Sequence, residues 1–265
     1  MKGPPIILTT DFGHADEYVG VLKGVILSIN PAATLVDLSH AIPPQGIGRA
    51  AELVSRNYRY FPHGSLHLCI IDPGVGTKRR IIVVSADGHL FLGPDNGVFT
   101  PLLHAYEQAK VYELTNRDWF LERISTTFHG RDIMAPAAAH LSLGAPIAEA
   151  GPLVAINSCV RIPPAEPLVC ESEIAGKISS IDRFGNLITT IENHHLDALS
   201  HKSCLIVSIN SIEVRFHQVS YAELPDHLPA AIINSSNLLE ICVKNDDAAK
   251  VLGARIGDTV LVKCG

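Results

Sequence analysis

The chain has 265 residues, 47% of them apolar and 18% charged, which excludes a disordered polypeptide and leaves core enough for one large domain or two small ones. A net charge of −6, with no basic run beyond Lys78, Arg79 and Arg80, argues against a nucleic-acid partner. The N-terminal apolar run stops at Asp11, too short for a signal-peptide core or a membrane span, so no membrane partner is expected and the expected location is the cytoplasm.

In chain order, residues 5–10 (PIILTT) read as a strand ending in Asp11, broken at Gly13. Val19, Leu22, Val25, Ile26 and Ile29 recur at helical spacing and predict a helix over 16–29. Asp11 or Asp16 reads as its cap as readily as a ligand. Residues 34–38 form a short strand, 39–45 a loop with two prolines, and 47–58 a helix with Ala51, Val54 and Tyr58 on one side. A third strand over 66–72 ends in Asp72, and a fourth covers 81–85. An acid at the carboxyl end of a strand stands where open α/β sheets place their ligands.

Between those two strands lies Pro73-Gly74-Val75-Gly76-Thr77, then Lys78, Arg79 and Arg80. With two glycines and no helix after it, this turn fits neither the dinucleotide fingerprint nor the phosphate loop. Its plain reading is a strand connection with a solvated basic edge. Residues 89–92 extend the strand pattern, Gly93-Pro94-Asp95-Asn96-Gly97 is a turn, 98–106 a helix and 111–114 a strand. STTFHGRD (125–132) is a polar turn opening onto a short helix through 135–140 that stops near Gly144. Strands alternate with helices to about residue 150, which predicts an α/β layer on a largely parallel sheet.

Residues 155–168 carry Pro163, Pro164 and Pro167 and read as a linker. Helical periodicity then gives way to strand-like runs at 175–181, 187–191, 205–209, 212–216, 238–243 and 259–262, the pattern of a small β-barrel or sandwich. The expected division is 1–160 for the α/β domain and 161–265 for the β domain. Asp182-Arg183-Phe184-Gly185-Asn186 and Asn234-Ser235-Ser236-Asn237 read as turns, Glu240 as a solvated edge, and His194 and His195 as surface residues. The six cysteines form no CxxC pair and no zinc spacing; they read as buried free thiols.

Taken together and in order, TTDFG with Asp16 and Tyr18, DPGVGTKRR, GPDNG, STTFHGRD with APAAAH, and DRFGN with NSSNLLEI resemble the S-adenosylmethionine (SAM) hydroxide adenosyltransferases, or SAM hydrolases. Fluorinases and chlorinases are their relatives. The resemblance covers nearly the whole chain. It implies an N-terminal α/β domain and a C-terminal β-barrel, and cleavage of SAM by water to adenosine and L-methionine without metal or other cofactor. It also implies a homotrimer with active sites at subunit interfaces. The triad it implies is Asp72, Arg79 and His129. Asp11 would hold the ribose hydroxyls, with Asp72 also at the substrate. Asn186 would meet the adenosine, with Ser235, Glu240 and the backbone at Val243 nearby, and Asp182 the methionine amino group. The halogenating relatives are similar in placing tyrosines where Asp72 and His129 stand, and a tryptophan where Gln45 stands, which disfavours halide transfer.

The chemistry agrees with that mapping. A sulfonium substrate releases methionine as a neutral thioether, so the leaving group needs no general acid. The barrier lies in aligning a nucleophile with the carbon–sulfur bond and stripping its water shell. A carboxylate and a histidine can position one water or take its proton, with His129 either base or positioner. An arginine beside them orients the acid or stabilises hydroxide character. Two other readings stand beside this one. One is a metal-dependent nucleoside hydrolase with Asp11, His14, Asp16, Asp72 and His129 as ligands. The other is a non-catalytic sensor of SAM or adenosine.

Overall fold

Runs of branched apolar residues without polar alternation make strands that are buried on both faces. The first half of the chain has three such runs. In the computed structural model, which describes residues 3–163, 166–199 and 205–265, they lie at the centre of a seven-stranded sheet. Pro164 of the expected linker and Cys204 fall outside the described residues. The chain divides into two compact units, Met1–Pro163 and Pro164–Gly265.

The sheet of the first unit comprises β1 (Ile6–Thr10), β2 (Leu35–Ser39), β3 (Leu66–Ile70), β4 (Ile81–Ala86), β5 (His89–Pro94), β6 (Lys110–Glu113) and β7 (Leu153–Val154), in the order β2-β1-β3-β5-β4-β6-β7. Five strands (β1, β2, β3, β5, β6) point one way and two (β4, β7) the other, so the sheet is mixed and mostly parallel. Helices α1 (Tyr18–Ile29) and α4 (Ala135–Ser142) cover one face, where Leu22, Ile26 and the alanines of α4 meet Leu8, Leu68 and Ile70. On the other face α2 (Ile47–Asn57) and α3 (Thr100–Ala105) bring Val54 and Leu102 onto Ile71, Ile82 and Phe91. β1 and β3 are parallel neighbours with Thr10 opposite Ile70, so the residues that follow them, Asp11 and Asp72, emerge at one carboxyl edge.

Three expectations change here. Neither Asp11 nor Asp16 caps α1, which starts after Glu17 with no side-chain cap. The helix expected over 98–106 begins at Thr100, because Asn96 Oδ1 takes the Val98 N–H and Gly97 O takes the Thr100 N–H, holding the first residues in a turn. The stretch 155–162 is packed, not free. Val160 N–H donates to Asp95 Oδ1 (2.9 Å), Ile162 N–H to Thr100 Oγ1 (3.0 Å), and Arg80 reaches the Ser158 carbonyl (2.6 Å). The buried side chains of Asp95 and Thr100 satisfy the backbone N–H groups of Val160 and Ile162, which follow a 3₁₀ turn at Ile156–Ser158.

The second unit contains β8 (Leu168–Val169), β9 (Glu173–Ile181), β10 (Leu187–Glu192), β11 (Leu205–Ile209), β12 (Ile212–Phe216), β13 (Pro229–Ile233), β14 (Leu238–Val243) and β15 (Thr259–Cys264), with one short helix, α5 (Ala248–Val251). The seven strands from β9 onward close into a barrel, because β10 pairs with both β14 and β9, and β8 sits on the edge of β9. Alternate residues fill the interior: Ile174 and Ile178 from β9, Leu239, Ile241 and Val243 from β14, Val260 and Val262 from β15. Sequence reading misses β13, whose Pro229-Ala230-Ala231 opening carries no strand preference; proline is tolerated there as the first residue of a strand. Cys69, Cys159 and Cys242 are buried as expected, but Cys170 and Cys264 are exposed because they stand at strand ends. Among the described residues no helix is long and apolar enough to cross a membrane.

Candidate active site

Two residues past the end of β3, the chain turns back on itself at Asp72. Val75 N–H donates to the Asp72 carbonyl (3.2 Å) and Thr77 N–H to that of Gly74 (3.1 Å). The Thr77 hydroxyl then accepts the Arg79 N–H (3.3 Å). These turns bring Arg79 to Asp72 as a two-pronged pair, Nε on Oδ1 at 2.7 Å and Nη2 on Oδ2. The two side chains are only 11% and 6% exposed, so the expected solvated basic edge is limited to Lys78. Arg80 is taken by buried Asp95 (2.9 and 2.6 Å), and Asn96 Nδ2 holds the Ile71 carbonyl (2.8 Å). The GPDNG turn thus clamps the loop that carries Asp72 and Arg79.

His129 comes from a different loop and precedes a π-helical turn, Gly130–Met134, that leads into α4. Such turns often mark functional positions. Its loop is held by Asp132, 1% exposed, whose Oδ2 accepts the Ser125 N–H (2.8 Å) and whose Oδ1 accepts from Arg131 Nε (2.6 Å). Burial works against the charge on Asp132, but Arg131 and Ser125 outweigh it and hold the carboxyl below its usual range. Gly76 lets the two loops meet: its φ is +78°, and a side chain there would overlap the Thr126 carbonyl oxygen. Across that junction Arg79 Nη2 lies 3.0 Å from His129 Nδ1. Burial, and then the Arg79 charge, keep the His129 imidazole below its ordinary pKa despite Asp72 and Asp132.

Asp11, Asp72 and His129 line one cavity of about 450 Å³, with Gln45, Phe12, Tyr18 and Phe128. Asp11 Oδ2 accepts the backbone N–H of Gln45 (2.8 Å), a residue with φ of +63° that turns its amide toward the acid. The three aromatic rings pack on one another at 5.3 to 5.7 Å between centroids. Sequence reading passes over these rings as site residues, yet Phe12 adjoins Asp11 and Phe128 adjoins His129. Each polar side chain of the cavity arrives with an apolar wall beside it. Among the described residues no group of three or more His, Cys, Asp and Glu side chains is arranged to hold a metal ion. The exposed His14 ring packs edge-on to His40 at 5.2 Å.

The second unit gathers the remaining candidates. Asp182 organises the turn between β9 and β10, accepting from Phe184 N–H (2.8 Å), Asn186 N–H (2.9 Å) and Asn186 Nδ2 (3.0 Å). Ile188 pairs with Glu240 and Leu187 with Ile241, so Asn186, the residue before β10, lies beside the strand that bears Glu240. Glu240 is not a solvated edge residue: it is 3% exposed, takes the Tyr221 hydroxyl on Oε1 and Asn234 Nδ2 on Oε2 (3.0 Å), and burial pushes its carboxyl up. Sequence reading misses Tyr221, which reaches Glu240 from the excursion between β12 and β13. Ser235 is exposed in the turn before β14, and Val243 ends that strand, 4% exposed. His195 departs from the surface expectation: it is half-buried, and its Nδ1 accepts the Glu192 N–H (2.9 Å).

The model of the SAM hydroxide adenosyltransferase N-terminal domain matches residues 6–151, and that of the C-terminal domain residues 176–261. An (R)-S-adenosyl-L-methionine hydrolase of Salinispora tropica is 36% identical over 266 residues, 99% of this chain and 98% of that protein. One of Thermus thermophilus is 35% identical over 268 residues, 96% of this chain and 97% of that protein. A crystal structure of an uncharacterized conserved protein from Thermotoga maritima superposes with a TM-score of 0.91 at 32% identity, covering 97% of this chain and 99% of that one.

Proposed function

The chain belongs to the SAM hydroxide adenosyltransferase family, and from that premise we propose that it hydrolyses S-adenosyl-L-methionine to adenosine and L-methionine by attack of one water on the 5′ carbon. The observation that carries this reading is the guanidinium of Arg79 held between Asp72 and Nδ1 of His129 at the wall of an aromatic-lined cavity.

The roles follow from what each group can donate. A guanidinium has hydrogens and no lone pair to offer, so Nδ1 of His129 is the acceptor and the neutral imidazole carries its proton on Nε2. His129 then holds the water oxygen by donating to it. The proton leaves toward Asp72, whose oxygens each keep a lone-pair direction that Arg79 does not use. The water oxygen bonds to the 5′ carbon, the carbon–sulfur pair goes to sulfur, and methionine departs neutral. The apolar rings strip the water shell from nucleophile and sulfonium. Asp11 takes the ribose diol, and the whole scheme uses no metal or other cofactor. The same reading gives Asn186, with Ser235, Glu240 and the Val243 backbone, to the adenosine, and Asp182 to the methionine ammonium. It makes the protein a cytoplasmic homotrimer with active sites at subunit interfaces. The turn built by Asp182 and the buried, hydrogen-bonded Glu240 support the second group of contacts.

The test is chromatography of SAM incubated with the purified protein, with chelator present and chloride varied, in water enriched in heavy oxygen. Adenosine and methionine should appear in equal amounts, indifferent to both additives, with the label in adenosine. Turnover lost to the chelator would return the metal-dependent hydrolase, and intact SAM co-purifying with the protein would make it a sensor.

A further inference from the structure

A line of side chains runs from the surface to the backbone that carries Asp11. Lys23 Nζ, on α1, donates to Asp37 Oδ2, on β2 (2.7 Å), and Asp37 Oδ1 stands 3.0 Å from Nε2 of His40, a charge contact that is not aligned as a hydrogen bond. Nδ1 of His40 is 2.8 Å from Thr10 Oγ1, and that oxygen accepts the Phe12 N–H (3.2 Å). The His40 carbonyl accepts the Gly13 N–H (2.8 Å). Asp11 lies between these anchors. Lys23 and Asp37 are about a third exposed (31% and 38%), whereas the His40 side chain and Thr10 are fully buried.

Polarity along the line is set from its acidic end. A bare lone pair on Nε2 of His40 would be repelled by the Asp37 carboxylate 3.0 Å away, so Nε2 carries the proton and Nδ1 is an acceptor. The Thr10 hydroxyl hydrogen is then committed to His40, and its oxygen is free to hold Phe12. The order hydroxyl, imidazole, carboxylate is that of a nucleophilic triad, but a buried Thr10 meets no substrate. The line can act only on what its end holds, which is the backbone beside Asp11.

We propose that His40, working through Thr10, is a positioning residue for Asp11 and sets the preference of the site for a ribose diol. This rests on the reading of Asp11 as the ribose ligand. A carboxylate engages two hydroxyls only when both oxygens are aimed, and a tilt of its backbone disengages one or both.

The experiment is calorimetric titration of the full chain with adenosine and with 2′,3′-dideoxyadenosine, which lacks the diol. Wild type should favour adenosine by about tenfold or more, the worth of hydrogen bonds to a charged group. Thr10→Val keeps the shape and removes the hydroxyl; it should bring the preference to within about threefold of unity while dideoxyadenosine affinity stays as in wild type. Thr10→Ser should restore it. A general packing defect would weaken both ligands alike, and that outcome overturns the proposal. So does an intact preference in Thr10→Val when Asp11→Asn abolishes it. No preference in wild type would instead remove the Asp11 reading on which the inference stands. If Thr10→Val does not fold, Asp37→Ala at the partly exposed end should lower the preference in the same direction, and an unchanged preference there overturns the relay.

Discussion

Arg79 donates from Nη2 to Nδ1 of His129 across 3.0 Å, so His129 shows the cavity a single nitrogen, and that nitrogen bears a hydrogen. Two substitutions separate a positioning histidine from a basic one. Glutamine places an amide N–H near the position of Nε2, so His129→Gln should lower kcat by about ten- to a hundredfold. Asp72→Asn removes the proton acceptor and should lower kcat by about a thousandfold or more with little change in KM. Steady-state kinetics on both variants checks this, and a His129→Gln enzyme as inactive as Asp72→Asn would give the base back to the histidine.

The fork of Arg79 makes three contacts: Nε on Asp72 Oδ1, Nη2 on Asp72 Oδ2 and Nη2 on His129 Nδ1. A lysine has one nitrogen to place in their stead. Arg79→Lys should therefore lower kcat by about a hundredfold or more, since the loss falls on the alignment of acid and imidazole, with KM for SAM nearly unchanged. Activity within a few-fold of wild type would mean that charge alone is needed there.

Gly76 and Gly144 both have left-handed backbones, with φ of +78° and +94°. They differ in what surrounds them. A side chain at 144 meets nothing, while one at 76 overlaps the Thr126 carbonyl in the loop that leads to His129. Gly144→Ala should cost about 1 kcal/mol of stability in a urea titration and leave kcat alone. Gly76→Ala should cost about 2 kcal/mol or more and lower kcat as well, because the Asp72 and His129 loops must part. Equal effects of the two on kcat would show that the loop contact does not set the alignment.

What could be read from the sequence follows from how local each signal is. Asp11 and Asp72 were legible because an apolar run that ends in an acid is a local pattern, and Arg79 follows Asp72 by seven residues. The link from Arg79 to His129 spans 50 residues, and from Thr10 to His40 spans 30, so no spacing rule reaches them; His129 entered through family resemblance and His40 not at all. Glu240 was misjudged for the converse reason. Its own strand pattern suggests an exposed edge, but the excursion that bears Tyr221 folds over it. The barrel is legible from alternation except at β13, and the linker read at 155–168 does hold the boundary between the two units, but the packing of 155–162 is not legible because its partners, Asp95 and Thr100, lie about 60 residues earlier.

Acid should act on stability before it acts on chemistry. His67 is 1% exposed, stacked on Phe91 with ring centroids 4.9 Å apart, and neither of its nitrogens has a hydrogen-bond partner among the described residues. Burial, and secondarily the charge of His89, pushes its pKa down to about 3. His89 is lowered too, by burial and then by His63. In the unfolded chain a histidine titrates near 6.5, so below about pH 6.5 the unfolded state binds protons that the folded state refuses. The stability contribution is therefore complete above that pH. It is lost as pH falls toward 3, at up to about 1.4 kcal/mol per pH unit from His67. His129 is also held below its ordinary value, so its neutral, active form outlasts the onset of that loss. The urea midpoint should begin to fall near pH 6.5, while the acid limb of kcat lies below it. His67→Leu should flatten the fall in midpoint between pH 6.5 and 4 without moving the kcat limb. Parallel loss of stability in wild type and His67→Leu would place the acid sensitivity in other groups.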